Sequence, residues 1–313
     1  MLFEGTEKKV EIIFSKEVNI KKDFKTLWKS VLQTSDIKIL SQISNQNIEA
    51  YLLSESSLFV WDHKILMITC GQSKLISSIE YILQKINKKN IEFLVYERKN
   101  EYLPLEQKTS FKQDVQSLNK YSSGKAFLLG ELDEHHMLMY HLDKDYVSDS
   151  NDQTTQILIS GLGLESRNFF TSCKNKKDIK NLLNLHSFFP DYLIDDYIFS
   201  PSGYSINAIK DNFYYTIHIT PQEPVSYVSF ETNNIFIDDN KVITHLLNIF
   251  KPRTLDCIYY IPKNKSKKII NLTNQSYVSR NTFTKNINSA YKTIFTSYIN
   301  NNSQQKEARC LKI

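Results

Sequence analysis

Glycine and proline are scarce in this 313-residue chain, which contains only seven of each. That scarcity excludes collagen-like and low-complexity chains, and it leaves little material for glycine-rich loops that hold nucleotide phosphates. Gly161-Leu-Gly163 lacks the third glycine of a dinucleotide fingerprint, and Gly124-Lys125 has Asn119 where a P-loop needs its first glycine. Glycine-dependent nucleotide folds are therefore not expected.

Cysteine and long apolar runs are scarce as well. The four cysteines are too few for a disulfide framework and show no metal-ligand spacing, and His135-His136 is expected at an exposed hairpin tip rather than in a zinc site. No run of roughly 18 apolar residues could cross a membrane. Acidic residues stand where a signal peptide carries basic ones. We therefore expect a cytoplasmic protein with no metal and no membrane partner.

Charge of one sign is only slightly in excess, since 39 basic and 34 acidic residues give a net charge of +5. The lysines form scattered groups, such as those within 174–180 and 263–268. A nucleic-acid surface would concentrate them on one element with interleaved aromatic residues. We interpret these groups as solvated loops and faces, so no nucleic-acid partner is expected.

The residues that are present favour an α+β fold. With 41% hydrophobic residues the chain can bury a large core. Short alternating or β-branched runs predict strands at 10–14, 49–53, 57–60, 65–69, 91–95, 126–129, 137–141, 156–159, 214–220, 226–230 and 257–261. Helical periodicity predicts helices at 75–86, 177–185, 241–250 and 282–298. Because strands follow strands before a helix intervenes, we predict antiparallel sheets with helices on one face of each, connected through 143–155.

One predicted turn carries chemical interest. Leu53-Ser-Glu-Ser-Ser-Leu-Phe59 places a Glu-Ser peptide bond between two strands, and Cys70 follows the end of the next strand. By itself the turn is typical of a tight loop whose hydroxyls cap backbone groups. Much later, a period of two places Thr216, His218 and Thr220 on one strand face, where a histidine needs polar partners.

These strings occur in a recognisable order. Phe3-Glu-Gly-Thr-Glu-Lys8, the Glu-Ser turn, Thr69-Cys-Gly71, the segment 199–205, and His218-Ile-Thr-Pro followed by Ser226 to Asn233 resemble the eukaryotic-type S-adenosylmethionine decarboxylase proenzymes. The resemblance implies a single domain over 1–313 with a four-layer αββα sandwich of two similar halves. It also implies decarboxylation of S-adenosyl-L-methionine to the aminopropyl donor for spermidine and spermine.

The resemblance implies a self-cleaving zymogen. Ser56 would attack the carbonyl of Glu55, and elimination and hydrolysis would leave a pyruvoyl group made from Ser56. The Glu55/Ser56 bond would be cut to give a β chain of 1–55 and an α chain of 56–313. The pyruvoyl group is the cofactor that would form the Schiff base with substrate.

Five further residues have implied catalytic roles. His218 would supply the base for processing, and Ser205 would help to hold the oxyoxazolidine intermediate. Glu7 matches a residue that assists processing, and Glu4 belongs to the same motif. Cys70 would donate the proton that replaces the carboxyl group, because a thiol is mostly protonated near neutral pH.

Substrate recognition is expected at five positions. Phe3 and Phe199 match residues that stack on the adenine, and Leu53 and Glu55 match residues that line the site, the first through its backbone. Gln222 stands where the family usually has a glutamate that binds the ribose hydroxyls. An amide can still bond two hydroxyls, although it lacks the charge-assisted strength.

A second polar cluster matches only part of the putrescine activator site of the animal enzymes. The matching residues are Glu11, Asp152, Thr154 and Glu231. Ile68 stands where those enzymes have a lysine, Gln156 replaces a glutamate, and Lys9 is an added cation. We expect Lys9 to substitute for putrescine, paired with a carboxylate such as Glu11, so that putrescine activation is weak or absent.

One alternative remains open on the sequence. A regulatory paralogue of the same fold could bind and activate another decarboxylase subunit while being catalytically weak. Such paralogues are expected to lose the Glu-Ser pair, the cysteine or the histidine, and this chain retains Glu55, Ser56, Cys70 and His218. The resemblance also leaves a homodimer of αβ units open.

Overall fold

The computed structural model describes residues 7–23, 26–54, 56–222 and 226–301. The strands of the first half are β1 (Glu7–Phe14), β2 (Ile39–Ser44), β3 (Glu49–Leu53), β4 (Ser56–Val60), β5 (Lys64–Thr69), β6 (Ile91–Lys99), β7 (Gly124–Gly130) and β8 (His136–Leu142). Those of the second half are β9 (Thr154–Ser160), β10 (Leu193–Ile198), β11 (Tyr204–Lys210), β12 (Phe213–Thr220), β13 (Tyr227–Thr232), β14 (Thr254–Pro262), β15 (Tyr277–Ile287) and β16 (Tyr291–Asn300). The helices are α1 (Ile20–Asp23), α2 (Leu27–Gln33), α3 (Leu75–Lys85), α4 (Phe111–Asn119), α5 (Leu164–Ser172), α6 (Lys176–Leu183) and α7 (Asp239–Phe250).

The strands form two eight-stranded sheets with the same topology. The first sheet has the order β2-β3-β4-β5-β1-β6-β8-β7, and the second has β10-β11-β12-β13-β9-β14-β16-β15. Every strand pair is antiparallel, as the sequence predicts. Each half of the chain therefore builds one sheet on the same plan.

The helices cover the outer faces of the sheets. Ile12 of β1 packs with Ile79 of α3 in one helix-facing core, and Ile217 of β12 belongs with α7 to the other. A third core lies between the sheets, where Phe93 and Ile258 come from opposite halves. The layers are thus helix, sheet, sheet and helix, and the expected αββα sandwich is confirmed.

The predicted helix over 282–298 is wrong, because this segment forms the β15–β16 hairpin. Its apolar residues recur at helical spacing, but β16 is buried on both faces. Ile294 packs toward the helices, whereas Phe295 packs between the sheets. A strand buried on both sides loses the alternation that would have identified it. Asn288, with a φ of +46°, lies in the connecting turn.

The other three predicted helices are confirmed as α3, α6 and α7 within two residues at each end. The segment 143–155 joins the halves, since β8 ends at Leu142 and β9 begins at Thr154. Among the described helices none is long and apolar enough to cross a membrane, and the longest, α7, has 12 residues.

The two adjacent histidines are not exposed, contrary to expectation. They do lie at the β7–β8 turn, but His136 is buried and His135 is only partly exposed. The Nδ1 atom of His135 lies 2.8 Å from Oδ2 of the fully buried Asp256 on β14. The contact between His135 and Asp256 joins the hairpin tip to the second sheet, so the tip is not freely exposed.

Candidate active site

The Glu-Ser turn joins β3 to β4, as the sequence predicts. Ser56 begins β4, is buried, and pairs with Thr69 at the end of β5. Its φ is +152°, a value that residues with a side chain rarely adopt and that costs about 1–3 kcal/mol. Backbone strain is therefore present at the residue that follows the predicted cleavage site.

His218 on β12 reaches across the gap between the sheets toward this turn. Its Nδ1 atom lies 2.7 Å from Oγ of Ser205, its neighbour on β11. Its Nε2 atom lies 2.9 Å from Oγ1 of Thr216 and 3.1 Å from Oγ of Ser57, the residue after Ser56. Burial lowers the pKa of His218 to about 4, although Glu7 partly opposes this shift. The imidazole is therefore neutral at neutral pH and able to accept a proton.

Glu7 at the start of β1 lies in the same layer. The Nζ atom of Lys99 is 2.7 Å from one Glu7 oxygen and 3.0 Å from a carboxylate oxygen of Glu97. Burial alone would raise the pKa of Glu7, but the Lys99 ammonium outweighs it and keeps this pKa below its ordinary value. The hydroxyl of Tyr227 donates to the second Glu7 oxygen at 3.2 Å. Glu7 is thus held as an anion close to His218.

Cys70 follows β5 directly, is partly buried and forms no disulfide with the other described cysteines. Burial raises the pKa of Tyr227 well above its ordinary value, and Glu7 and Cys70 add to this shift. The charge effect requires that Cys70 and Glu7 both lie near the Tyr227 phenol. The structure therefore brings the predicted proton donor toward the predicted processing residues.

The loop after Cys70 is fixed by a lysine that the sequence reasoning did not single out. Lys8 on β1 is buried, and its ammonium donates to the carbonyl oxygens of Gly71 at 2.7 Å and Ser73 at 3.1 Å. Hydrogen bonds from a charged donor are among the stronger ones in proteins. Lys8 therefore fixes the backbone that directly follows Cys70.

Phe199 and Gln222 come together at one end of the second sheet. The Phe199 amide donates to the carbonyl of Gly203 at 2.9 Å, and Gly203 adopts a φ of +133° that a side chain would strain. The Nε2 atom of Gln222 donates to the carbonyl of Ser202 at 2.9 Å. Its Oε1 atom is buried and has no hydrogen-bond partner within the described residues. This oxygen remains available to accept a bond from a ligand hydroxyl.

Of the remaining predicted binding residues, Leu53 lies within the described part of the chain. Leu53 ends β3 and its side chain lies fully in the helix-facing core, so only its backbone is left to face a ligand. Phe3, Glu4 and Glu55 lie outside the described residues. Their predicted roles stay predictions.

The partial activator cluster is assembled between the sheets. Lys9 is buried, and its Nζ atom lies 2.9 Å from Oε1 of Glu231 rather than bonding to Glu11. Lys9 and Glu11 are two positions apart on one strand and project side by side, whereas Glu231 faces Lys9 from β13. The pairing expected with Glu11 is therefore corrected.

A second lysine serves the other carboxylates of this cluster. Lys64 lies 3.6 Å from Oδ1 of Asp152, which also accepts a hydrogen bond from Tyr291. Burial raises the pKa of Glu11, and the charge of Lys64 opposes that shift. Thr154 is buried beside this group at the start of β9. Lys9 and Lys64 thus place two internal ammonium groups among Glu11, Asp152 and Glu231.

Several residues of the site had little or no signal in the sequence. Ser57 could have been identified from its place beside Ser56. Asn207, whose Oδ1 accepts from the Ser57 hydroxyl at 2.6 Å, could have been identified from its spacing of two from Ser205. Lys8 and Lys99 gave no such signal, because their partners come from distant segments and a buried lysine is rare.

Comparisons with known proteins agree with this geometry. The model of the adenosylmethionine decarboxylase family matches residues 1–299. The S-adenosylmethionine decarboxylase proenzyme of Dictyostelium discoideum is 33% identical over 282 residues, covering 82% of this chain and 74% of that protein. The Xenopus laevis proenzyme is 33% identical over 285 residues, covering 85% and 84%.

The fold is also shared with a solved structure. The crystal structure of the Trypanosoma brucei AdoMetDC-delta26 monomer superposes with a TM-score of 0.61 at 21% identity, covering 78% of this chain and 98% of that one. It supports the sandwich fold alone, whereas the family match and the curated relatives span most of the sequence. This chain belongs to the adenosylmethionine decarboxylase family.

Proposed function

We propose that this chain is a self-processing, pyruvoyl-dependent decarboxylase of S-adenosyl-L-methionine that supplies aminopropyl groups for spermidine and spermine synthesis. As one domain over 1–313, it would cut itself into a β chain of 1–55 and an α chain of 56–313. The observation that carries the proposal is a neutral, buried His218 between Ser205 and Ser57, beside the strained Ser56.

The residues around Ser56 fit the formation of the pyruvoyl group. The Ser56 hydroxyl would attack the carbonyl carbon of Glu55, and the acyl group would pass from nitrogen to oxygen to give an ester. His218 would remove the Cα proton of Ser56, and the ester would leave as the new C-terminal carboxylate of Glu55. Water would then release ammonia and leave the ketoacyl group on residue 56. Relief of the backbone strain at Ser56 would favour the first step.

Decarboxylation would use the residues on the same side of the sandwich. A bound pyruvoyl group supplies a carbonyl that accepts the substrate amine and withdraws the electron pair left by carbon dioxide. Cys70 would deliver a proton to the substrate carbon, with its loop held by Lys8. Phe199 would stack on the adenine together with Phe3, and the unpartnered Oε1 of Gln222 would accept a bond from a ribose hydroxyl. A cytosolic location suits this chemistry, because a reducing compartment keeps Cys70 as a thiol.

Putrescine is proposed to be dispensable for this chain. A diamine would bring two positive charges to Glu11, Asp152 and Glu231, and Lys9 and Lys64 already place two charges there. Burying two further cations would cost more solvation energy than the one remaining carboxylate could return. The lysines of the chain thus already neutralise most of the partial activator site.

The regulatory paralogue is the less favoured alternative. Ser205, Ser57 and His218 retain hydrogen-bonding distances, and Cys70 forms no disulfide with the other described cysteines. A chain that only activated a partner would have no need of these contacts. The alternative predicts an intact chain, so processing separates the two functions.

The test is the intact mass of the purified protein under denaturing conditions. The wild type should appear as residues 1–55 and 56–313, the larger piece blocked at its N-terminus by a ketoacyl group. Ser56→Ala should remain whole. Ser54→Ala removes a hydroxyl two positions away, whose oxygen accepts from the Lys38 amide at 3.0 Å, and should still be cut. An uncut wild type would favour the regulatory function, whereas a cut one should release carbon dioxide from carboxyl-labelled substrate.

A further inference from the structure

Both ring nitrogens of His218 contact hydroxyl groups, so the position of its proton depends on those hydroxyls. Nδ1 faces Ser205, and Nε2 faces Thr216 and Ser57 at 2.9 and 3.1 Å. A neutral imidazole has one N–H and one lone pair, and only the nitrogen with the lone pair can act as a base. Which hydroxyls have a proton to give therefore decides which nitrogen is basic.

The fully buried Asn207 determines where the hydroxyl protons beside Nε2 of His218 point. Its Nδ2 atom donates to the carbonyl oxygen of Tyr51 at 3.0 Å, which fixes the orientation of the amide. Its Oδ1 atom therefore faces Ser57 Oγ at 2.6 Å and Thr216 Oγ1 at 3.1 Å. A carbonyl oxygen can only accept, so it attracts hydroxyl protons away from the imidazole.

One arrangement of protons satisfies every contact. The single proton of Ser57 goes to Oδ1 of Asn207, because two acceptors at 2.6 Å without a proton between them would repel. Ser57 then presents a lone pair to Nε2 at 3.1 Å, which an unprotonated Nε2 would repel, so the hydrogen lies on Nε2. The single proton of Thr216 goes to the carbonyl of Ile206 at 2.9 Å or to the same Oδ1, and Thr216 also accepts from Nε2. Nδ1 is left with the lone pair and accepts from Ser205.

We infer that Asn207 is a positioning residue that holds His218 in the Nε2–H tautomer and so makes Nδ1 the basic nitrogen in the processing of Ser56. The purpose of this arrangement rests on the proposed function, but the tautomer itself does not. When Nδ1 accepts a proton, the ring becomes a cation with two N–H groups. Thr216 and Ser57 accept from one, and the Ser205 oxygen accepts from the other after its hydroxyl rotates.

The tautomer can be read directly in an uncut protein. Ser56→Ala, labelled with ¹⁵N-histidine, should show a protonated Nε2 and an unprotonated Nδ1 for His218 in long-range ¹H–¹⁵N correlation spectra at pH 7. The His218 signals are identified by their loss in Ser56→Ala/His218→Gln. A protonated Nδ1 in Ser56→Ala would overturn the inference without any substitution at Asn207.

Substitutions of Asn207 test whether this residue determines the tautomer of His218. In Asn207→Leu, Ser57 has no amide oxygen to bond and should donate to Nε2, so the proton should move to Nδ1. Cleavage in the wild-type background should then slow by about a hundredfold or more, the range that a general base contributes. Asn207→Asp restores an acceptor for Ser57 but not the donor to Tyr51, so Nε2 should keep its hydrogen, a rescue that a purely structural role would not give.

The outcomes separate this inference from the proposed function. If Asn207→Leu folds and retains a protonated Nε2, the positioning role of Asn207 is wrong even when the wild type cleaves. If the tautomer shifts as expected but the wild-type chain is never cut, the inference stands and the proposed function fails.

Discussion

The two halves of this molecule share a topology but differ in what they bury. Each builds an eight-stranded sheet whose order differs only by eight in strand number. Between the sheets, β1 and β6 of the first half contribute the buried charges Glu7, Lys9, Glu97 and Lys99. The equivalent strands of the second half, β9 and β14, contribute the uncharged Gln156 and a single charged residue, Asp256, to the same layer.

This difference shows that the two halves share a backbone topology, whereas their buried charges and reactive side chains differ from position to position. The candidate site uses equivalent strands of both halves, since Ser57 lies on β4 and His218 on β12. Neither half contains the whole set, because Ser56 and Cys70 come from one and Ser205 and His218 from the other. The site therefore exists only where the sheets face each other, and its charges come mainly from the first half.

The largest expected effect comes from removing the cation at the centre of the charged half. Lys99→Met leaves the buried carboxylates of Glu7 and Glu97 without their shared ammonium. Breaking a buried ion pair from one side typically destabilises by about 3–5 kcal/mol. We expect a loss of that order in the free energy of unfolding, measured by denaturant titration in the Ser56→Ala background.

The matched control makes the same exchange at the surface. Lys125→Met removes an ammonium that lies 2.8 Å from Asp143 on an exposed edge, and exposed pairs contribute less than about 1 kcal/mol. Equal losses for the two variants would contradict the view that the first half depends on its buried charges.

The sequence predicts the strands and helices of both halves better than the contacts between their buried side chains. Alternation at 214–220 locates β12 and puts His218 opposite Ile217 correctly, because that strand has one polar and one apolar face. The same logic fails at 282–298, where β16 is buried on both sides and only the helical spacing remained visible.

The partners of buried groups are harder to predict, because they are set by distances between remote strands. Ser56, Cys70, Ser205 and His218 were identified through an ordered resemblance. The partner of Lys9 was assigned by proximity along the strand, and the structure replaces it with a residue 222 positions away.

Acid should affect the halves in different pH ranges, with a loss of about 3 kcal/mol at most from His218. The pKa of His218 is lowered to about 4, whereas an unfolded histidine titrates near 6.5. Between these values the unfolded chain binds a proton that the folded chain does not, so the free energy of unfolding falls as pH falls from 6.5 to 4. The pKa of Glu7 is also lowered, so its contribution is lost only below about 4.5, as pH falls through the folded value.

Two variants distinguish these ranges. In the Ser56→Ala background, His218→Gln should flatten the dependence of unfolding free energy on pH between 6.5 and 4.5. Glu7→Gln should change the slope only below about 4.5. An unchanged slope in His218→Gln would mean that the imidazole is not held neutral by burial.

The smallest expected effect concerns Lys9 of the first half, whose ammonium pairs with Glu231 of the second half. Lys9 neutralises Glu231 across the gap between the sheets, so putrescine should change the turnover of the wild type by less than about twofold. Lys9→Met leaves Glu231 with Tyr214 but without a cation, and turnover should fall about tenfold, equivalent to about 1.4 kcal/mol. Added putrescine should then restore activity in a saturable manner, because a diffusible cation can occupy the vacated position.

Lys125→Met, the same exchange at an exposed site, should show neither the loss nor the response. A strong saturable stimulation of the wild type by putrescine would mean that Lys9 does not replace the diamine and does not neutralise Glu231.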